Sequence, residues 1–319
     1  MVWVNGLALD AVAVAVAWQA VFAKMVGARL TLVDSGVLAA AVWLIYMADR
    51  WSDARLGYGS GARHAFAGRH GHWLLPLMLL VALGAATWAG MRMRWITMHA
   101  GLWVLVGVAL YALILAASRW KQGSGGILLM VTAFMAIGLV QGEENGSPAV
   151  QLWRAIAAGT LLTNVYFGLK FHFDPPPWVM VKKVLGGYLF AMGAALAPFA
   201  HLQDWDGLLR GGPVILFAGA CALNSMGIRV WENAGKAGPE LRLLGKLYPW
   251  LLGAIAAGAL AQAWAADQWA RPVLVGVAAC VTGFAVMHAL PQRWPSVRSS
   301  LVADGWMVLV AAGVLFLGK

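Results

Sequence analysis

The sequence predicts an all-α protein, a polytopic bundle of about 9–11 transmembrane helices forming a single domain over residues 1–319. Three observations predict it. Of 319 residues, 61% are hydrophobic and 11% charged, against about 25% charged in soluble domains. Mean hydropathy is +0.74. Apolar runs long enough to cross the hydrocarbon layer, which takes about 17–25 residues each, follow one another along the whole chain.

Eleven such runs are expected: 4–24, 34–49, 73–91, 96–117, 126–142, 151–170, 178–200, 211–230, 245–265, 270–290 and 300–318. The first carries Asp10 and is followed by Lys24 rather than a small-residue cleavage site, so it is expected to be a span and not a cleavable signal peptide. Net charge is +10, from 23 Lys and Arg against 13 Asp and Glu. With the N-terminus inside, 15 of those 23 cations fall on inside segments, among them Arg50, Arg55, Arg63, Arg69, Arg119 and Arg229. That is the positive-inside bias, and it suits contact with anionic lipid headgroups. The expected setting is a bacterial inner membrane with a cytoplasmic N-terminus and membrane lipid as a partner. Charge dispersed over short loops is not the clustered pattern of nucleic-acid binding, and no such partner is expected.

The two cysteines, Cys221 and Cys280, lie in apolar runs and form neither a disulfide framework nor a metal spacing. His64, His70 and His72 are read as one solvated inside loop, within a segment spanning 50–72, and His99, His201 and His288 as lone residues near span ends. The 18 tryptophans, including Trp43, Trp51, Trp73, Trp95, Trp178 and Trp231, gather near span ends as an aromatic belt. Trp51 and Tyr58 could also line a site for a carbocation. Few charges are placed mid-span, which speaks against transport.

Chemistry is expected first at LIYMADRWSDARLGYG, 44–59. Asp49 and Asp53 are four residues apart and share a helix face. Two carboxylates that close repel unless a cation lies between them, and oxygen ligands of this kind suit Mg²⁺. Arg50 and Arg55 could instead neutralise the pair. YFGLKFHFDPPPWVMVKKVLGGYLFAMGAALAP at 166–198 supplies Lys170, Lys182 and Lys183, on the residues alone a basic inside loop with a Pro-rich break. CALNSMGIRVWENAGK at 221–236 supplies Asn224, Arg229 and Glu232, and Asn224 could equally be a helix-packing residue.

These stretches resemble the UbiA superfamily of intramembrane prenyltransferases. Asp49 and Asp53 match the last two aspartates of its first signature, whereas Ile45 and Tyr46 occupy the first two polar positions. RHAFAGRH at 63–70 resembles the basic continuation of that motif, and LALDAVAVAVAWQ at 7–19 the family's start. The 166–198 segment resembles its Tyr-x-x-Thr-Lys-Arg motif, for which SRWKQGSGG at 118–126 is an alternative counterpart. Asn224 stands where the second signature would open. The resemblance implies a Mg²⁺ site of Asp49, Asp53 and Glu232. It also implies an isoprenoid diphosphate held by Arg50, Lys170, Lys182, Lys183, Arg229 and Asn224, with the prenyl group passed to a lipophilic acceptor. A terpene cyclase is the alternative enzyme. A non-catalytic protein of the same scaffold, binding a quinone, pigment or lipid or serving as a subunit of a membrane complex, is the other reading.

All these clusters are expected on one face of the membrane. Single cysteines replacing Asp53 and Lys183 should therefore react with an impermeant maleimide from the same side of sealed vesicles.

Overall fold

The structure is a computed structural model that describes residues 4, 6–55, 62–119, 178–232, 239–290 and 296–317. Among these residues all regular secondary structure is helical: α1 (Leu9–Val26), α2 (Leu32–Arg55), α3 (Ala62–Arg92), α4 (Trp95–Arg119), α5 (Trp178–Leu202), α6 (Trp205–Arg210), α7 (Gly212–Glu232), α8 (Pro239–Ala265), α9 (Ala270–Ala289) and α10 (Ser296–Leu317). Eight segments among the described residues are long and apolar enough to cross a membrane, and α4 opens with a shorter apolar stretch, Trp95–Leu105. The chain is an integral membrane helical bundle. The expected spans 126–142 and 151–170 lie outside the described residues.

Two helices organise the packing. α1 is flanked by α2, α5 and α10, and α7 by α5, α8, α9 and α10. Between them Trp18 stacks on Phe217 with ring centroids 4.2 Å apart, and Phe22 meets the same ring edge-on at 5.5 Å. Trp18 Nε1 donates to the Met307 carbonyl at 3.2 Å, so this large core side chain leaves no polar atom unpaired in α10's interface. Gly187 lets α5 lie directly on α7. A Cβ there would stand 2.6 Å from the Ala218 carbonyl oxygen and 2.7 Å from the Ala222 nitrogen. Small residues at such crossings bring backbones together where lipid supplies no hydrophobic drive for association.

Turn chemistry fixes helix directions. α1 ends in a left-handed Gly27, with Ala28 N–H on the Ala23 carbonyl and Gly27 N–H on that of Lys24, a Schellman closure. Gln203 closes α5 in the same way, with bonds from Gln203 and Asp204 to Ala200 and Phe199. Thr31 and Asp34 form a reciprocal capping box at the start of α2: Thr31 N–H and Oγ1 donate to Asp34 Oδ2, and Asp34 N–H donates to Thr31 Oγ1. His201 ties α5 to this turn, with Nδ1 3.1 Å from the Arg29 carbonyl oxygen. Its Nε2 lies 3.4 Å from Asp34 Oδ2, at ion-pair range without hydrogen-bond alignment.

These contacts make α1, α5 and α10 parallel and α2 and α7 antiparallel to them. Lys24 Nζ on the Leu315 carbonyl sets α10's direction. Leu196 beside Gly101 and Leu189 beside Gly107 make α4 antiparallel to α5. Arg119 and Trp178 consequently share one end of the bundle.

Several expectations change. The segment 50–72 is not a long loop: α2 continues to Arg55 and α3 already begins at Ala62, running 31 residues. His70 and His72 lie in α3, with His70 Nδ1 2.9 Å from the Phe66 carbonyl oxygen and its ring 4.3 Å from that of Phe66. No Gly or Pro interrupts 62–67, so nothing stops the helix entering the polar stretch early. Trp43 and Trp231 are buried in the bundle rather than in an interfacial belt. Trp95, Trp264 and Trp269, at or near helix ends, do face outward.

Gly187→Ala should destabilise the bundle by about 1–3 kcal/mol, read as a lowered melting temperature in detergent. Gly253→Ala, where a Cβ would meet nothing within 4 Å, should leave the melt unchanged.

Candidate functional site

At the Asp10 end of the bundle, four helices bring polar side chains together inside the apolar packing. α2 places Tyr46 and Arg50 one turn apart on one face, α7 does the same with Cys221 and Asn224, α1 contributes Asp10, and α10 contributes Asp304. Asp10, Arg50 and Asn224 are all buried. Tyr46 is within electrostatic reach of Asp304, Arg50 and Asp10. The Phe190 ring of α5 closes it edge-on at 6.4 Å.

The closest polar contact is Asn224 Nδ2 to Asp304 Oδ1, 2.5 Å across the α7–α10 interface. An amide donating to a carboxylate and a protonated carboxyl donating to an amide oxygen share this heavy-atom geometry, because amide orientation is assigned from the network. With the amide as placed, its Oδ1 is buried without a partner; with the amide turned, its NH2 takes that position. Arg50 Nη1 donates to the Gly6 carbonyl at 3.1 Å, and Ala11 N–H donates to Asp10 Oδ1 at 3.0 Å. A charge at the centre of a membrane helix costs about 2.5–3.5 kcal/mol on insertion scales. Asp10, the second residue of α1, and Arg50, near the end of α2, lie toward helix ends rather than at that centre.

Of the residues expected at a site, Arg50 and Asn224 enter this cluster. Arg229 and Glu232 follow Asn224 along α7 toward the same end, both half-buried. The Gly187 contact with Ala222 sets the start of α5, with half-buried Lys183, beside that end of α7. Asp49 is exposed, next to buried Arg50 but off the buried face. Asp53 and Lys182 lie in α2 and α5 with side chains outside the description, and Lys170 and Tyr58 lie outside the described residues. Arg55 holds its guanidinium 5.0 Å over the Trp51 ring, which occupies that face.

Of the Mg²⁺ ligand set, the side chains of Asp49 and Glu232 are described and that of Asp53 is not. Among the described residues no three His, Cys, Asp or Glu side chains gather closely enough to hold a metal ion. Asp49 is exposed on α2 and Glu232 half-buried on α7.

Sequence reasoning missed Asp304 and the place of Tyr46. The signal was present: Asp304 is the lone charge in the apolar segment Ser299–Phe316, and an acidic residue in such a segment is a functional candidate by default. Tyr46 had registered only as a departure from a motif.

No family model matches the chain, and neither a curated protein nor a solved structure resembles it.

The Asn224–Asp304 contact is expected to couple α7 to α10. In a double-mutant cycle of Asn224→Leu and Asp304→Leu, followed by thermal melting, the coupling should be about 1–2 kcal/mol. The double variant should be more stable than Asn224→Leu alone, because it also removes the carboxyl that Asn224 had met.

Proposed function

We propose that this integral membrane protein acts on an isoprenoid diphosphate and passes the prenyl group to a lipophilic acceptor, at the end of the bundle where α1, α2, α7 and α10 meet. One observation carries the reading: Arg50 and Asn224, 174 positions apart in the chain, come into a single polar cluster walled by apolar helices. Both had been expected to face the diphosphate.

In this reading the allylic C–O bond breaks, the diphosphate leaves with the electron pair, and an acceptor nucleophile captures the allylic cation and sheds a proton. Arg50, Lys183 and Arg229 are the cations near the leaving group. Fixed positive charge is worth most where negative charge develops out of water's reach. Asp10 and Asp304 are the carboxylates near the proton that is lost, and the faces around Tyr46 and Phe190 receive the prenyl body. Mg²⁺ belongs to the family resemblance, but the described side chains do not assemble its ligands, so no step is assigned to it. The cluster would face the cytosol of a bacterial inner membrane, in keeping with the bias in cation placement.

A second reading is a non-catalytic lipid- or cofactor-binding protein, alone or as a subunit of a membrane complex. The observation favouring it is that Arg50 and Asn224 make bonds inside the bundle, to the Gly6 carbonyl and to Asp304.

Pyrophosphate release separates the two. Purified protein in lipid, given geranylgeranyl diphosphate and a phenolic acceptor with and without Mg²⁺, should release pyrophosphate. Arg50→Leu and Asp304→Asn should each lower that rate by about 10²-fold while the variants still melt cooperatively. Release absent under every condition would leave the non-catalytic reading.

A further inference from the structure

Three buried polar atoms without hydrogen-bond partners come from rings that touch one another: Trp231 Nε1, Tyr248 Oη and His288 Nδ1. Trp231 meets Tyr248 edge-on with centroids 6.2 Å apart and planes at 89°, and Tyr248 meets His288 at 5.2 Å. Tyr248 is fully buried and Trp231 is 8% exposed. Tyr248 Oη reaches α7 at Gly227, where a Cβ would stand 2.3 Å from it, and the Trp231 ring edge lies over the same glycine. Asn224, Gly227 and Trp231 follow one stripe of α7, so these atoms continue the line that starts at the unpartnered amide oxygen of Asn224.

Native bundles rarely leave one buried polar atom unpaired, and each exception asks for an explanation such as an ordered guest. We infer that Trp231, Tyr248 and His288 form a binding site for the carbonyl head of a quinone-type, lipid-soluble molecule. The indole N–H can only donate, and the phenol O–H donates readily, so the guest brings an acceptor oxygen. Neutral donors do not repay the desolvation of an anion, whereas a carbonyl is a neutral acceptor. Buried Leu244, Leu252, Phe284 and Met287 lie on the same helices within a turn or so of the three residues, which suits a flat, apolar body. His288 Nδ1 serves the quinone as donor and the reduced quinol as acceptor, since an imidazole nitrogen takes either role. The site does not depend on prenyl transfer.

The test uses the full chain in nanodiscs and decylubiquinone carrying ¹³C at its ring carbonyls. The infrared carbonyl band should gain a lower-frequency component absent from empty nanodiscs. Tyr248→Phe, which removes one oxygen and keeps the ring, should abolish that component and weaken binding about five- to tenfold. Trp231→Phe should do the same, and if it fails to fold, Tyr248→Phe carries the result. The proposal is overturned if the wild-type spectrum equals that of empty nanodiscs, or if Tyr248→Phe keeps both band and affinity. It is equally overturned if Tyr248→Phe melts higher than wild type and quinone shifts neither melt, the outcome for a site that holds water alone. Pyrophosphate is not read, so failure here leaves the prenyl-transfer proposal where it stands.

Discussion

Lipid offers a buried charge no hydration, and the rest of this structure follows from how the chain meets that constraint. Asp304 is the lone charge of the apolar segment Ser299–Phe316 and finds Asn224 across the α7–α10 interface. Arg50 finds the Gly6 carbonyl, and Tyr46 is within electrostatic reach of Arg50 and Asp304. Such a group can be stable only where several helices bring their polar positions to one depth. That requirement fixes the relative heights of α1, α2, α7 and α10 more tightly than apolar side chains, which slide past one another at little cost.

Packing supplies the complementary half. The ring stack of Trp18, Phe22 and Phe217 fills the centre, while Gly187 brings α5 onto α7 closely enough that their polar ends face each other. At the opposite end the Thr31–Asp34 capping box and His201 hold the α1–α2 turn against α5. The bundle is thus tied by polar contacts at both ends and filled by rings between them.

Much of the fold was legible in the sequence because twenty-residue apolar runs have few other interpretations. The ends of helices were less so. RHAFAGRH reads as a loop on polarity alone, yet polarity does not stop a helix, and α3 runs straight through it. Of the site, Arg50 and Asn224 were found through a motif resemblance, and both are buried in the bundle. Asp304 was overlooked because it belongs to no motif, although the cost of one carboxyl among apolar neighbours marked it. Trp231 was misassigned for a related reason: nearness to a span end says nothing about which side of the helix the indole takes. Contacts between helices far apart in sequence, such as Tyr248 on Gly227, leave no local trace.

The length of α3 has a mechanical consequence. At about 1.5 Å per residue its 31 residues extend roughly 46 Å, against about 30 Å of hydrocarbon. Unless the helix leans steeply, its opening turns stand clear of the acyl chains as a stiff post. Arg69, His70 and His72 are then borne at fixed heights through the headgroup layer, like rungs, and the post transmits any push it receives there directly to α2, the helix that carries Tyr46 and Arg50.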